Sequence, residues 1–225
     1  LENISNRFPQ VRTYHLSNGV NPENYPPPAY SEKCKVRVLY AGLHGLAQGL
    51  DQILAAAERL LDHKSLEFDF IGDGPEKENL ISIARKDKLT NVSFLEPVQK
   101  SQIPAVLAEA DILIVPLKVQ LTGAVPSKLY EAMAASKPVI LIAGSEARSI
   151  VEDAGCGFVV EPGNTIGLVS AIELLAENPD QRRIMGENGR KAVVRKFNII
   201  QIAEDFSSFL KHSYAKIERN RSHED

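Results

Sequence analysis

At 225 residues, 44% apolar and 24% charged, the chain can bury a real core and is too apolar to remain disordered. Its formal net charge of -3 argues against nucleic acid or anionic lipid as the main partner. Cys34 and Cys156 lie far apart and the five histidines are scattered, so neither a metal site nor a disulfide framework is expected, and a reducing, cytoplasmic setting is the default.

Residues 1–33 do not read as the start of a domain. A short run, Val11 to Leu16, precedes the turn Ser17-Asn-Gly-Val20, and the stretch from Asn21 to Pro28 is crowded with breakers. A linker and the remnant of a preceding domain are expected there. The chain begins at Leu1 rather than Met, which fits a fragment or a processed form. From Val36 short apolar runs alternate with helical spacing. Strands are expected at 36–41, 68–71, 92–95, 112–115, 139–142 and 158–160. Between them, Leu50, Ile53, Leu54, Ala57 and Leu61 mark one helix, and Leu80, Ile81 and Ala84 a second. Ser101 is the expected cap of a short helix ending near Ala110, and another helix runs from Ser127 to Ala135. A helix carrying Ile150, Val151 and Ala154 ends at Gly155. Three helical patterns close the chain, centred on 166–177, 180–196 and 200–218, with Thr165 as the cap of the first. No apolar run approaches the roughly 20 residues of a membrane span, and no secretory leader is visible.

This alternation predicts an α/β fold: a Rossmann-like, doubly wound parallel sheet of about six strands with helices on both faces. The expected organisation is a main domain over 34–198 and a C-terminal helix and tail over 199–225. Ligands of such sheets bind at the carboxyl ends of the strands. The first loop there, Gly42-Leu-His-Gly45-Leu-Ala-Gln-Gly49, lets backbone approach a phosphate, but its spacing is not the G-x-G-x-x-G of dinucleotide folds. An NAD-dependent dehydrogenase is therefore excluded, although Asp73 imitates its ribose acid. A tight structural turn is the competing reading of the same glycines. His44 is expected at the surface, within reach of a phosphate. Gly72-Asp-Gly-Pro75 reads either as a turn into a helix or as a wall beside a nucleotide, which puts Gly74 in the candidate set.

The most informative segment is Leu121 to Ile140. Pro126 suits a first helical turn, Ser127 and Glu131 share a face, and Lys128 flanks them, while Leu129, Ala132 and Met133 form an apolar face. A lysine at a helix N-terminus opposes the dipole, and a bound phosphate would reverse that penalty.

Here the chain, from Val36 to about Phe206, resembles the C-terminal domain of group-1 retaining glycosyltransferases of two-domain GT-B architecture. The marks are Asn18-Gly19-Val20, Gly42 with Gly49, Gly72-Asp-Gly-Pro75, Val92-Ser-Phe-Leu95 and Ala110-Asp-Ile-Leu-Ile-Val-Pro116. Glu131-Ala-Met-Ala134 with Lys137-Pro-Val139, Gly155-Cys-Gly-Phe158 and Pro162-Gly163 complete them. The resemblance implies that Glu131 binds the ribose hydroxyls of a nucleotide-sugar. It places Glu96, Pro97 and Val98 at the base, and Thr122 to Lys128, including Gly123, Val125 and Ser127, at the diphosphate and sugar. It further implies a UDP-sugar donor, retention of configuration, no metal cofactor, and an acceptor sugar or lipid-linked sugar held by a preceding domain that also supplies the groups beneath the reacting carbon. The family commonly has arginine and lysine where Leu43 and Gln48 stand, and an acid where Gly123 stands. Lys128 is the expected replacement cation. The Pro-Ser-Lys-Leu-Tyr-Glu version resembles a subgroup acting on amino- and deoxy-sugars in cell-surface polysaccharide synthesis, which allows peripheral association of the full protein with the inner face of the membrane. A nucleotide-sugar epimerase of the same architecture and a non-catalytic nucleotide-binding module are the alternatives.

Overall fold

The computed structural model describes residues 2–26, 35–118, 125–144 and 146–221. Helix α1 (Glu2–Arg7) stands in the segment expected to be a domain remnant. Strand β1 (Val36–Ala41) opens the sheet and is followed by α2 (Asp51–Arg59), β2 (Leu66–Ile71), α3 (Lys77–Lys86) and β3 (Val92–Leu95). Then come α4 (Ile103–Glu109), β4 (Ile112–Pro116), α5 (Ser127–Ala134), β5 (Val139–Ile142), α6 (Glu146–Ala154) and β6 (Gly157–Val160). Helices α7 (Thr165–Glu177), α8 (Pro179–Lys196) and α9 (Ile199–Arg221) finish the chain.

All six strands are parallel, in the order β3-β2-β1-β4-β5-β6. Parallel strands need crossovers, and the crossover helices cover both faces. Strands β4 and β5 are accordingly buried along their whole length, whereas the edge strand β3 alternates half-buried and exposed residues. Val38, Tyr40, Phe68 and Phe70 face one core with Leu54 of α2 and Leu80 of α3. Leu39, Leu113 and Val115 face the other with Leu129 and Met133 of α5 and Val193 of α8.

Two expected caps are corrected. Ser101 lies inside a 3-10 turn, Lys100–Gln102, where Gln99 and Gln102 cap each other reciprocally. Helix α7 is capped by Asn164, whose side chain accepts from the Gly167 N–H at 2.9 Å, and Thr165 is its first residue. Residues before β1 lean on the domain. Val20 pairs with Asn198, and a Cβ on Gly19 would lie 2.4 Å from the Phe197 carbonyl oxygen, so only glycine fits there. Tyr25 is buried, with its carbonyl and that of Ala134 accepting from Arg190.

Candidate functional site

The sheet order reverses between β1 and β4, and the crevice outside their carboxyl ends is where a doubly wound sheet takes its ligand. The first loop leaves β1 at Gly42, whose N–H donates to the Ile71 carbonyl at 2.8 Å. It passes through a 3-10 turn, Leu46–Gln48, and Gly49 in the left-handed region before α2 begins. The second loop lies flat against it. The His44 N–H donates to the Asp73 carbonyl at 2.8 Å, and the Glu76 N–H donates to the His44 carbonyl at 2.9 Å. A Cβ on Gly72 would meet the Gly42 oxygen at 1.9 Å, and one on Gly74 the His44 oxygen at 2.4 Å. Close loop-to-loop approach therefore requires both glycines, a constraint that neither the turn nor the nucleotide-wall reading of the motif contained. Gly45 is buried in the same loop, with the Gln48 side chain where its Cβ would stand.

His44 is not at the surface. Its ring is fully buried between Tyr40, Phe70 and Phe94, at centroid separations of 5.8, 6.4 and 6.3 Å, and neither ring nitrogen has a hydrogen-bond partner. Burial first, and then the Lys77 charge, push its pKa down, with the Asp73 charge and then the nearby Ile71 backbone opposing. A phosphate in the cleft cannot be reached by a ring turned into the aromatic core.

Helix α5 supplies the charged wall. Pro126 occupies its N-cap, so Ser127 is the first helical residue. Leu129, Ala132 and Met133 are buried against the sheet, which fixes the rotation of the helix and leaves Lys128 and Glu131 half-buried at the crevice and Ser127 exposed. The Lys128 chain folds over Gly42. A Cβ there would lie 2.0 Å from Cε and 2.6 Å from Nζ. Glu131 and Lys128 line a small slot of about 30 Å³ with Leu39, Ala41, Leu107 and Val115. Burial raises the Glu131 carboxyl above its ordinary pKa, while Lys128 and then Lys100 hold it down. A perturbed carboxylate beside a cation in a crevice makes Glu131 a functional-site candidate.

The structure thus brings Gly42, Gly45, Lys128 and Glu131 to the switch point, with Gly74 in the adjoining loop and Val125 entering α5. On the other side of that loop Pro97 is exposed and Val98 half-buried after β3, while Glu96 is ion-paired to the buried Lys77 at 3.1 Å. Gly123 and Thr122 lie outside the described residues. Sequence reading did not single out Lys77, Lys100, Lys118 or Tyr25, whose phenol pKa is raised by burial first and then by the Glu131 charge. Lone lysines carry no motif, and Tyr25 sits among linker prolines. Among the described residues no group of three metal-ligating side chains occurs.

Fold and crevice together define a doubly wound α/β domain whose strand order reverses at the crevice. The family model for glycosyl transferases group 1 matches residues 27–192, and the chain belongs to that family. It is 29% identical over 141 residues to the probable glycosyltransferase WbjE of Pseudomonas aeruginosa, covering 61% of this chain and 35% of that protein. In three dimensions it resembles sucrose-phosphate synthase from Thermosynechococcus elongatus, with a TM-score of 0.80 at 21% identity over 96% of this chain and 56% of that one. It also resembles HepE of Anabaena, solved in complex with UDP, with a TM-score of 0.70 at 19% identity over 80% of this chain and 49% of that one. The two structural likenesses speak for the fold. The chain spans about a third of WbjE and about half of each solved neighbour. No helix among the described residues is long and apolar enough to cross a membrane.

Proposed function

We propose that this chain is the donor-binding half of a glycosyltransferase and that its crevice holds a nucleotide diphosphate sugar, UDP-linked. The observation that carries this reading is the pairing on one helix turn: Lys128 lies across the end of β1 over Gly42, and Glu131 lines the slot beside it. A carboxylate accepts two hydrogen bonds at once, which suits a ribose diol, and a lysine beside a glycine backbone suits a diphosphate. Pro97 and Val98 stand where a base would pack, and the segment through 122–128 would face the sugar. In the reaction the bond from the anomeric carbon to the diphosphate breaks, one to the acceptor hydroxyl oxygen forms with retention, and the hydroxyl proton passes to the departing diphosphate. The departing charge is neutralised by lysines and backbone N–H groups without a metal. Acceptor contacts and the groups beneath the reacting carbon come from a preceding domain. The likeness of Pro126-Ser-Lys-Leu-Tyr-Glu131 to a subgroup acting in cell-surface polysaccharide synthesis supports a cytoplasmic role of that kind and is compatible with peripheral association of the full protein with the inner face of the membrane.

Calorimetry with UDP in the presence of EDTA tests the reading. Saturable, chelator-independent binding is expected. Loss of binding on chelation contradicts metal-free recognition, and no UDP binding at all contradicts the nucleotide assignment.

A further inference from the structure

A diphosphate brings more negative charge than one ammonium neutralises, and in the first loop Leu43 and Gln48 bring none. We propose that Lys118 is the second cation of this site and closes, with Lys128, a two-lysine clamp over the two ends of the first loop. The inference rests on the nucleotide reading above.

Lys118 follows β4, the strand beside β1 at the switch point. Its backbone is pinned. The Lys118 N–H donates to the Ala47 carbonyl of the first loop at 2.9 Å, and the preceding Leu117 N–H donates to the Ile142 carbonyl at 2.8 Å. Its side chain runs over Gly49 as that of Lys128 runs over Gly42. A Cβ on Gly49 would lie 2.9 Å from Lys118 Cδ, and one on Gly42 lies 2.0 Å from Lys128 Cε. Each end of the loop therefore passes beneath a lysine stem, and a larger residue at either glycine would displace one. The Lys118 charge is not consumed by the fold. Its contact with Asp51 is 3.9 Å long between side chains that are 57% and 61% exposed, a pair worth little in water. A lysine with a fixed backbone whose ammonium makes one long, exposed ion pair can exchange that partner for a phosphate oxygen at little cost.

Calorimetric titrations of uridine, UDP and inorganic pyrophosphate against wild type, Lys118→Ala and Lys118→Arg test the clamp on the whole chain. Lys118→Ala should lose about tenfold or more in UDP affinity, the loss of one charge-assisted contact, with uridine unchanged and Lys118→Arg close to wild type. Pyrophosphate, which has no nucleoside, should weaken with Lys118→Ala as UDP does. UDP and pyrophosphate affinities that stay within about twofold of wild type in Lys118→Ala, or uridine and UDP falling in parallel, overturn the clamp. If wild type binds pyrophosphate in a Lys118-dependent way but not UDP, the clamp stands and the nucleotide reading falls.

Discussion

A histidine ring among Tyr40, Phe70 and Phe94 with no hydrogen-bond partner has to stay neutral to stay buried. Its depressed pKa, set by burial and Lys77 against Asp73, means that the folded chain resists a proton that the unfolded chain accepts near the ordinary value of 6.5. Stability contributed at His44 is thus complete above that value and is lost as pH falls through it toward the lower folded value. His44→Phe keeps an aromatic ring in the box and removes the titration. The melting temperature of wild type should fall more steeply than that of His44→Phe between about pH 7.5 and about pH 5. Parallel curves would contradict a neutral, buried His44. The consequence reaches the cleft because the His44 backbone joins the two glycine loops. The same residue shows where sequence reading stops. A loop histidine is ordinarily solvated, and nothing in Gly42-Leu-His-Gly45 reveals that the second loop, packed on its backbone, turns the ring inward.

At the scale of elements, the strands were legible almost to the residue. Runs such as Val139 to Ile142 have no reason to be uniformly apolar unless both faces are covered, and β5 is buried throughout. The caps at Ser101 and Thr165 were displaced by neighbours because several polar side chains compete for one helix start, and only backbone geometry chooses among them. Helix-on-helix docking left a fainter trace, the glycines of α8. A Cβ on Gly186 would lie 2.0 Å from the Ser136 oxygen, and one on Gly189 lies 3.3 Å from Met133 and Cys156 atoms. Ser136, two residues past the end of α5, stands in the left-handed region at φ +58°. Gly186→Ala should push α8 off the end of α5 and cost about 1–3 kcal/mol, the usual penalty of overpacking. Urea unfolding reads this as a lowered midpoint with an unchanged slope, and a midpoint equal to wild type would contradict the close docking. Because α8 packs on the helix that carries Lys128 and Glu131, this contact also supports the site.

For the whole molecule, family membership rests on the match over residues 27–192 and the fold on a sheet built from strands between Val36 and Val160, whereas the proposed function concentrates in a few side chains at the switch point. The placement of Glu131 and Lys128 on the crevice side of α5 was legible because the apolar face of Leu129, Ala132 and Met133 fixes the helix rotation. Lys118 was not, because a lysine after a strand becomes informative only when β1 and β4 are known to be neighbours. The central claim is a division of labour in which Glu131 holds ribose and Lys128 holds phosphate. Titration of uridine and UDP against wild type, Glu131→Gln and Lys128→Ala tests it most directly. Charge-assisted hydrogen bonds contribute roughly 1.5–3 kcal/mol each, so Glu131→Gln should weaken both ligands by about tenfold or more, while Lys128→Ala should weaken UDP to that extent and leave uridine nearly unchanged. Unchanged uridine affinity in Glu131→Gln, or equal losses for both ligands in Lys128→Ala, would contradict that division.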